Sequence, residues 1–203
     1  MIQRLALFGG TFNPIHRGHV AVARAALDEL NLRELRLVPS AVPPHKAATD
    51  LATGDDRLAM CRLAVQDDRH ITVSDLELRA PAPSFTVNTL RDLKREQPGA
   101  DLLLLVGADM LRDLHLWFRF QEIVRLARLV TMPRPGVDVG PLAELRSALG
   151  EGAVQRLLAD VLHTPLVDVS STDIRRRVRA GLPIDDLVPP AVAGYIREHR
   201  LYT

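Results

Sequence analysis

Residues 5–38, LALFGGTFNPIHRGHVAVARAALDELNLRELRLV, decide the fold. Leu5 to Phe8 read as a short buried strand ended by Gly9 and Gly10. The run HVAVARAALDEL from His19 reads as a helix rich in alanine and leucine, and Leu35 to Val38 supply a second strand. Strand, loop, helix and strand in that order predict parallel strands joined by a crossover helix.

Further along, PSAVPPHKAATD (39–50) is rich in proline and small residues and reads as a surface loop. Asp55 to Val65 resemble a helix, Ile71 to Val73 a strand, and Phe85 to Arg95 another helix. DLLLLV (101–106) is the most apolar strand candidate and is expected at the centre, because a parallel strand is covered on both faces. Leu126 to Thr131 repeat that pattern before the turn signal PRPG (133–136). A helix is expected around Val154 to Leu158, and a last strand at Val167 to Val169. Two helices should finish the chain, one near Ser171 and one after Pro189 and Pro190. With no internal repeat or linker, residues 1–203 read as one domain whose helical C-terminal portion starts at about residue 171. The expected class is α/β: a doubly wound, Rossmann-like, mostly parallel sheet with helices on both faces.

Composition narrows the function. Twenty-six basic and 25 acidic residues nearly cancel, so bulk charge gives no reason to expect a nucleic-acid or membrane partner. One cysteine, Cys61, excludes an intramolecular disulfide and a cysteine-rich metal site; within LAMCRLAV it reads as a small buried hydrophobe. No secretory signal or membrane-length apolar run is recognisable, so the expected compartment is the cytoplasm. Asp67, Asp68 and His70 read as a solvated loop, and His115, His163 and His199 receive no catalytic role.

Two loops carry the chemistry. In GGTFNPIHRGH (9–19), Gly9 and Gly10 are expected to turn tightly after the first strand, and Gly18 to leave room beside the helix. His16 and His19 are three residues apart and can share one side of a first helical turn, whose positive end suits an anion. Taken alone, the loop serves as well for a plain turn. It matches neither GxGxxG nor GxxxxGK[ST], and the histidines lack companions for a zinc site. In VSSTDIRRR (169–177), Ser171 or Thr172 is expected to cap a helix with Asp173 in its first turn and Ile174 and Val178 facing inward. Arg175 would offer a directional fork to phosphate, while Arg176, Arg177 and Arg179 include solvent-facing residues. Both loops follow expected strands, so a doubly wound sheet can bring them together at its carboxyl edge.

At these residues the chain resembles the nicotinate mononucleotide adenylyltransferases of the HIGH-type nucleotidyltransferase superfamily. GGTFNPIHRGH is similar to the family's ATP loop, which implies nucleotide contacts from Gly9, Gly10, Thr11, Phe12, His16, Gly18 and His19. VPPHK (42–46) resembles a phosphate-approaching loop with His45 and Lys46 as its polar members. SFTVNTL from Ser84 resembles the acceptor-side element containing Thr86, and LLLLVGADML the central strand with its Gly107–Asp109 turn. LWFRF resembles the aromatic acceptor segment, and VSSTDIR the C-terminal phosphate motif with Ser171, Thr172 and Arg175. Asn13 stands where many bacterial members carry aspartate, and Phe118 where some carry tyrosine.

The resemblance implies adenylyl transfer from MgATP to nicotinate mononucleotide, with Mg²⁺ held mainly by ATP phosphates. His16, His19, Lys46 and Arg175 would be the catalytic side chains, and Thr86, Trp117, Phe118, His45 and Lys46 would meet the acceptor. On residue chemistry alone the Trp117–Phe118–Phe120 cluster reads more readily as core, and Asp109 as a turn residue or a ligand-hydroxyl partner. Alternatives are a nicotinamide mononucleotide adenylyltransferase, a phosphopantetheine adenylyltransferase, a noncatalytic ATP sensor and a purely structural domain. Either a monomer or a small homo-oligomer fits.

Overall fold

The computed structural model describes residues 4–41, 51–80, 83–133, 142–163 and 169–203. Five parallel strands form one sheet in the order β3-β2-β1-β4-β5: β1 (Arg4–Gly10), β2 (Glu34–Pro39), β3 (Ile71–Val73), β4 (Asp101–Gly107) and β5 (Arg128–Met132). β1 therefore takes the middle place expected for DLLLLV, and β4 lies beside it, still flanked on both sides. The chain winds outward in one direction from β1 through β2 to β3, and in the other from β4 to β5. The crevice of such a sheet opens where the winding reverses, beyond the carboxyl ends of β1 and β4.

Period-two alternation sorts the strand residues onto two faces. Ala6, Phe8, Leu35, Leu37, Leu103, Leu105 and Val130 enter one buried cluster; Leu5, Leu7, Val38, Leu102, Leu104, Val106 and Leu129 enter the other. A one-residue slip would exchange the two sets, so the register is strongly specified. Both faces are covered, which is why β4 is apolar at every position after Asp101. Truncating Leu103 to alanine would cost about 2–5 kcal/mol.

Helices α1 (Arg17–Glu29), α2 (Gly54–Ala64), α9 (Ser171–Arg179) and α10 (Pro190–Glu198) contribute to the first cluster. Helices α4 (Thr86–Glu96), α5 (Ala108–Arg112), α6 (Phe120–Leu126), α7 (Ala143–Leu149) and α8 (Glu151–Ala159) contribute to the second. The short α3 (Leu76–Arg79) precedes α4. α1 buries Val20, Ala23, Ala26 and Leu27, a helical stripe whose alanines allow close approach to the sheet. It stops at Asn31, whose φ of +48° places it in the left-handed region. There the Asn31 and Leu32 N–H groups close back on the carbonyls of Asp28 and Leu27. Gly181, at φ +66°, ends α9 in the same manner. Pro190 opens α10 at its first helical position, where the missing N–H costs nothing.

Three boundaries differ from expectation. α1 begins at Arg17 rather than His19, because His16 caps it and Leu187 O accepts the Arg17 N–H at 2.9 Å despite Gly18. α7 was not anticipated between PRPG and the helix around Val154. The last strand expected at Val167–Val169 falls largely outside the described residues, as do residues 134–136 of PRPG, and Val169 itself carries no strand assignment. Val161 makes a single parallel bridge to Thr131 at the β5 edge.

Candidate active site

The first loop leaves β1 at Gly10, and its sharp bend lies further on than the sequence suggests. Neither Gly9 nor Gly10 has a positive φ, and both still pair in β1; Phe12 takes φ +47°, ahead of a cis Asn13–Pro14 bond. The bend turns the Phe12 ring inward, edge-on to Phe8 at 5.5 Å and to His19 at 5.1 Å between centroids. Gly10 is required for a packing reason instead: a Cβ there would sit 3.0 Å from Phe12 Cζ. A Cβ at Gly9 would meet nothing within 4 Å, so this exposed stretch of backbone is open to approach. Thr11 is half-buried, and Gly18 is buried in the first turn of α1.

His16 is the N-cap of α1 and is buried, with His19 at the third helical position. The His16 backbone N–H donates to His19 Nδ1 at 3.2 Å, the place a glutamate fills in a common capping box. That bond makes Nδ1 an acceptor and leaves the ring proton of a neutral His19 on Nε2. The two imidazoles stack at 3.6 Å between centroids, with 29° between their planes. Backbone and ring packing thus orient His19.

The C-terminal motif closes on this loop. Ser171 Oγ donates to Pro14 O at 2.9 Å, and Arg175 Nη1 donates to Asn13 O at 2.9 Å. The helix cap is Ser170, whose hydroxyl accepts the Thr172 N–H; the expected caps Ser171 and Thr172 are not used because the Ser171 hydroxyl is committed to Pro14. Thr172 is exposed one turn before Arg175, within 3.4 Å of Nη2. Asp173 lies in the first turn as expected and is held ionised below the usual carboxylate range, chiefly by hydrogen bonding from Arg176 and then by the charges of Arg176 and Arg177. Ile174 is fully buried and Val178 packs behind it. A second tie runs from Arg17, whose side chain donates to Asp185 O at 3.1 Å.

Two further residues converge on the loop from elsewhere. Asn13 Oδ1 accepts the Ala52 N–H at 3.0 Å and the Tyr202 hydroxyl at 2.8 Å. Burial holds that hydroxyl well above its ordinary pKa, against the opposing charges of Arg175 and Arg57. Arg57, 1 % exposed, donates from Nε to Ala52 O at 3.1 Å, from Nη1 to Thr11 O at 2.9 Å and Ser40 O at 2.6 Å, and from Nη2 to Ala41 O at 2.8 Å. Desolvation lowers its pKa, but a guanidinium remains charged at any working pH. Cys61, one helical turn on, is fully buried, and burial pushes its thiol far up despite the nearby Arg57 charge, as a packing residue requires.

A second group gathers on the other side of the sheet. Thr86 opens α4, capped by Phe85, whose ring meets that of Phe118 at 4.6 Å. Phe118 is 48 % exposed with the Arg119 guanidinium 5.4 Å over its ring, whereas Trp117 is half-buried against the second core cluster. Gly107 ends β4 and caps α5, so half-buried Asp109 stands in that helix's first turn. Glu77, on α3, accepts the Thr89 hydroxyl at 2.7 Å; burial raises its pKa, opposed by hydrogen bonds from Thr89 and Ser84. His45 and Lys46 lie outside the described residues. Among the described residues no three His, Cys, Asp or Glu side chains gather to hold a metal ion, and no helix is long and apolar enough to cross a membrane.

The cytidylyltransferase-like family matches residues 7–177, which takes in both loops. A Synechococcus protein named "Probable nicotinate-nucleotide adenylyltransferase" is 42% identical over 201 residues, covering 98% of this chain and 95% of that relative. One of the same name from Idiomarina loihiensis is 42% identical over 212 residues, covering 97% and 98%. The chain belongs to the nicotinate-nucleotide adenylyltransferase family. The fold agrees: a solved structure of Plasmodium falciparum nicotinic acid mononucleotide adenylyltransferase complexed with NaAD superposes with a TM-score of 0.77 at 18% identity, covering 98% of this chain and 97% of that one.

As a member of this adenylyltransferase family the chain is a nucleotide-binding enzyme. Sequence reasoning had passed over Arg57 and Tyr202. For Arg57 one signal existed: it shares a helical stripe with Cys61 and Val65, where a charge is out of place unless its donors are satisfied. Tyr202 offered none, since its partner lies 189 residues away.

Proposed function

We propose that the protein transfers the adenylyl group of MgATP to nicotinate mononucleotide, giving nicotinate adenine dinucleotide and pyrophosphate in NAD biosynthesis. One observation carries the reading: Ser171 and Arg175 of the C-terminal motif hydrogen-bond directly to Pro14 and Asn13 of the histidine loop, so both halves of a phosphate cradle share one edge of the sheet. The relatives' names supply the acceptor.

An oxygen of the acceptor phosphate attacks the α-phosphorus. A new P–O bond forms, the bond from the α-phosphorus to the bridging oxygen breaks, and its electron pair leaves with pyrophosphate. The attacking oxygen is already anionic, so no strong base is needed, and catalysis rests on alignment and charge stabilisation. His19 Nε2–H donates to a non-bridging α-phosphate oxygen, and His16, stacked on it, orients the phosphates. Arg175, Lys46 and the first-turn N–H groups of α9 restrain the outer phosphates. Trp117 stacks on the pyridine ring, Phe118 and His45 border the acceptor, and Thr86 receives the ring carboxylate. Magnesium held mainly by ATP oxygens and water would neutralise the triphosphate.

An acceptor panel tests this. With MgATP and nicotinate mononucleotide, nicotinamide mononucleotide or phosphopantetheine, dinucleotide and pyrophosphate are measured together. The acid should be strongly preferred. Preference for the amide would overturn the acceptor, and ATP binding without acceptor-dependent pyrophosphate would overturn catalysis.

A further inference from the structure

At the carboxyl ends of β1 and β2, the Ser40 N–H donates to Gly10 O at 2.9 Å, where the histidine loop follows β1. The carbonyls of Thr11, Ser40 and Ala41 then face one group, the Arg57 guanidinium, which also closes on Ala52 O at the entry to α2. Four of its five N–H donors are used on three separate stretches of backbone. α2 is itself fixed: Thr53 caps it through the Asp56 N–H, and Asp56 accepts the Tyr195 hydroxyl from α10 at 3.0 Å.

We propose that Arg57 is a positioning residue for the nucleotide, its guanidinium setting the spacing between the histidine loop at Thr11 and the β2 exit at Ser40 and Ala41. This inference rests on the phosphate cradle described under the proposed function. A group enclosed by carbonyls cannot touch substrate, so its effect passes through the loops it holds. The planar fork matters as much as the charge. Lysine keeps the charge but presents its donors from one point, and cannot reach four carbonyls spread around a guanidinium. The Ala52 contact adds a link to the opposite side of the same loop, because the Ala52 N–H is bonded to Asn13 Oδ1. Arg57 and Asn13 thereby hold the backbone at residue 52 from its two ends.

Arg57→Lys is the informative variant, with kcat and KM determined separately for ATP and for nicotinate mononucleotide. Loosening a phosphate loop by about an ångström should lower kcat/KM for ATP by about 10²-fold, while KM for the acceptor moves by less than about threefold. A soluble variant with a lowered Tm but wild-type kcat/KM for ATP would show that Arg57 only stabilises the fold, and would overturn the proposal. Should the lysine variant fail to fold, wild-type protein labelled with ¹⁵N-arginine keeps the test open. The Arg57 Nε–H signal should shift and exchange more slowly when a non-hydrolysable ATP analogue is added, and an unchanged signal overturns the proposal. Wild-type protein that binds ATP yet releases no acceptor-dependent pyrophosphate refutes the proposed reaction instead, leaving the ATP-binding arm for Arg57 intact.

Discussion

Replacing Tyr202 by phenylalanine removes one hydroxyl and keeps the ring. The hydroxyl donates to Asn13 Oδ1 at 2.8 Å, and Asn13 retains the Ala52 N–H afterwards, so the acceptor is not orphaned. The cost is that of one neutral hydrogen bond, about 1 kcal/mol, without the larger penalty of a stranded buried group. For a chain of 203 residues that lowers Tm by about 2–4 °C. Because burial raises the Tyr202 pKa above its model-compound value of 10.0, the donor stays protonated through alkaline pH. The Tm difference should therefore be the same at about pH 7 and about pH 9.5. Thermal unfolding followed by circular dichroism measures both. A double-mutant cycle with Asn13→Ala should return a coupling of about 0.5–1.5 kcal/mol. A Tm change under about 0.5 °C, or a coupling near zero, would refute the idea that the tail is hydrogen-bonded to the histidine loop.

Three other perturbations separate chemistry from packing. His19→Ala should lower kcat by about 10²–10³-fold with KM for the acceptor within about threefold, read by pyrophosphate release; near-normal kcat at saturation would remove its role at the α-phosphate. Glu77→Gln keeps an acceptor for the Thr89 hydroxyl and removes a carboxylate whose pKa burial raises from the ordinary 4.5. That carboxylate is costless while protonated, and the stability of the wild type is lost as pH rises through its folded pKa. The variant's Tm advantage should thus grow from about pH 4.5 to about pH 7, and a constant or shrinking difference would contradict the burial account. Cys61 should resist a thiol reagent in the folded protein and react fully in denaturant, whereas fast native labelling would contradict its enclosure.

How far the sequence could be read depended on where each residue's partners lie. Strands β1 and β4 announce themselves because consecutive apolar residues are needed when both faces are covered, as at Leu102 to Val106. The motif loops were legible for a local reason too, a fixed order of small, polar and basic residues. Conformation within them was less so: glycines suggested the turn, but Phe12 makes it, because filling the space beside Phe8 and His19 offsets a left-handed φ. The cap at Ser170 rather than Ser171 depended on the distant Pro14 carbonyl. Arg57 and Tyr202 escaped because their partners are backbone and side-chain atoms brought close only by the fold, and spacing along the chain cannot encode them. Trp117 shows the reverse: its packing on the second cluster was readable as core, while contact with a pyridine ring remains a matter of function.

A crystal structure with a non-hydrolysable ATP analogue tests most directly whether the two loops form one cradle. His19 Nε2 should lie within hydrogen-bonding distance of an α-phosphate oxygen, with Arg175 on the β- or γ-phosphate of the same molecule. A triphosphate bound elsewhere, or touching only one of these two side chains, would contradict the account.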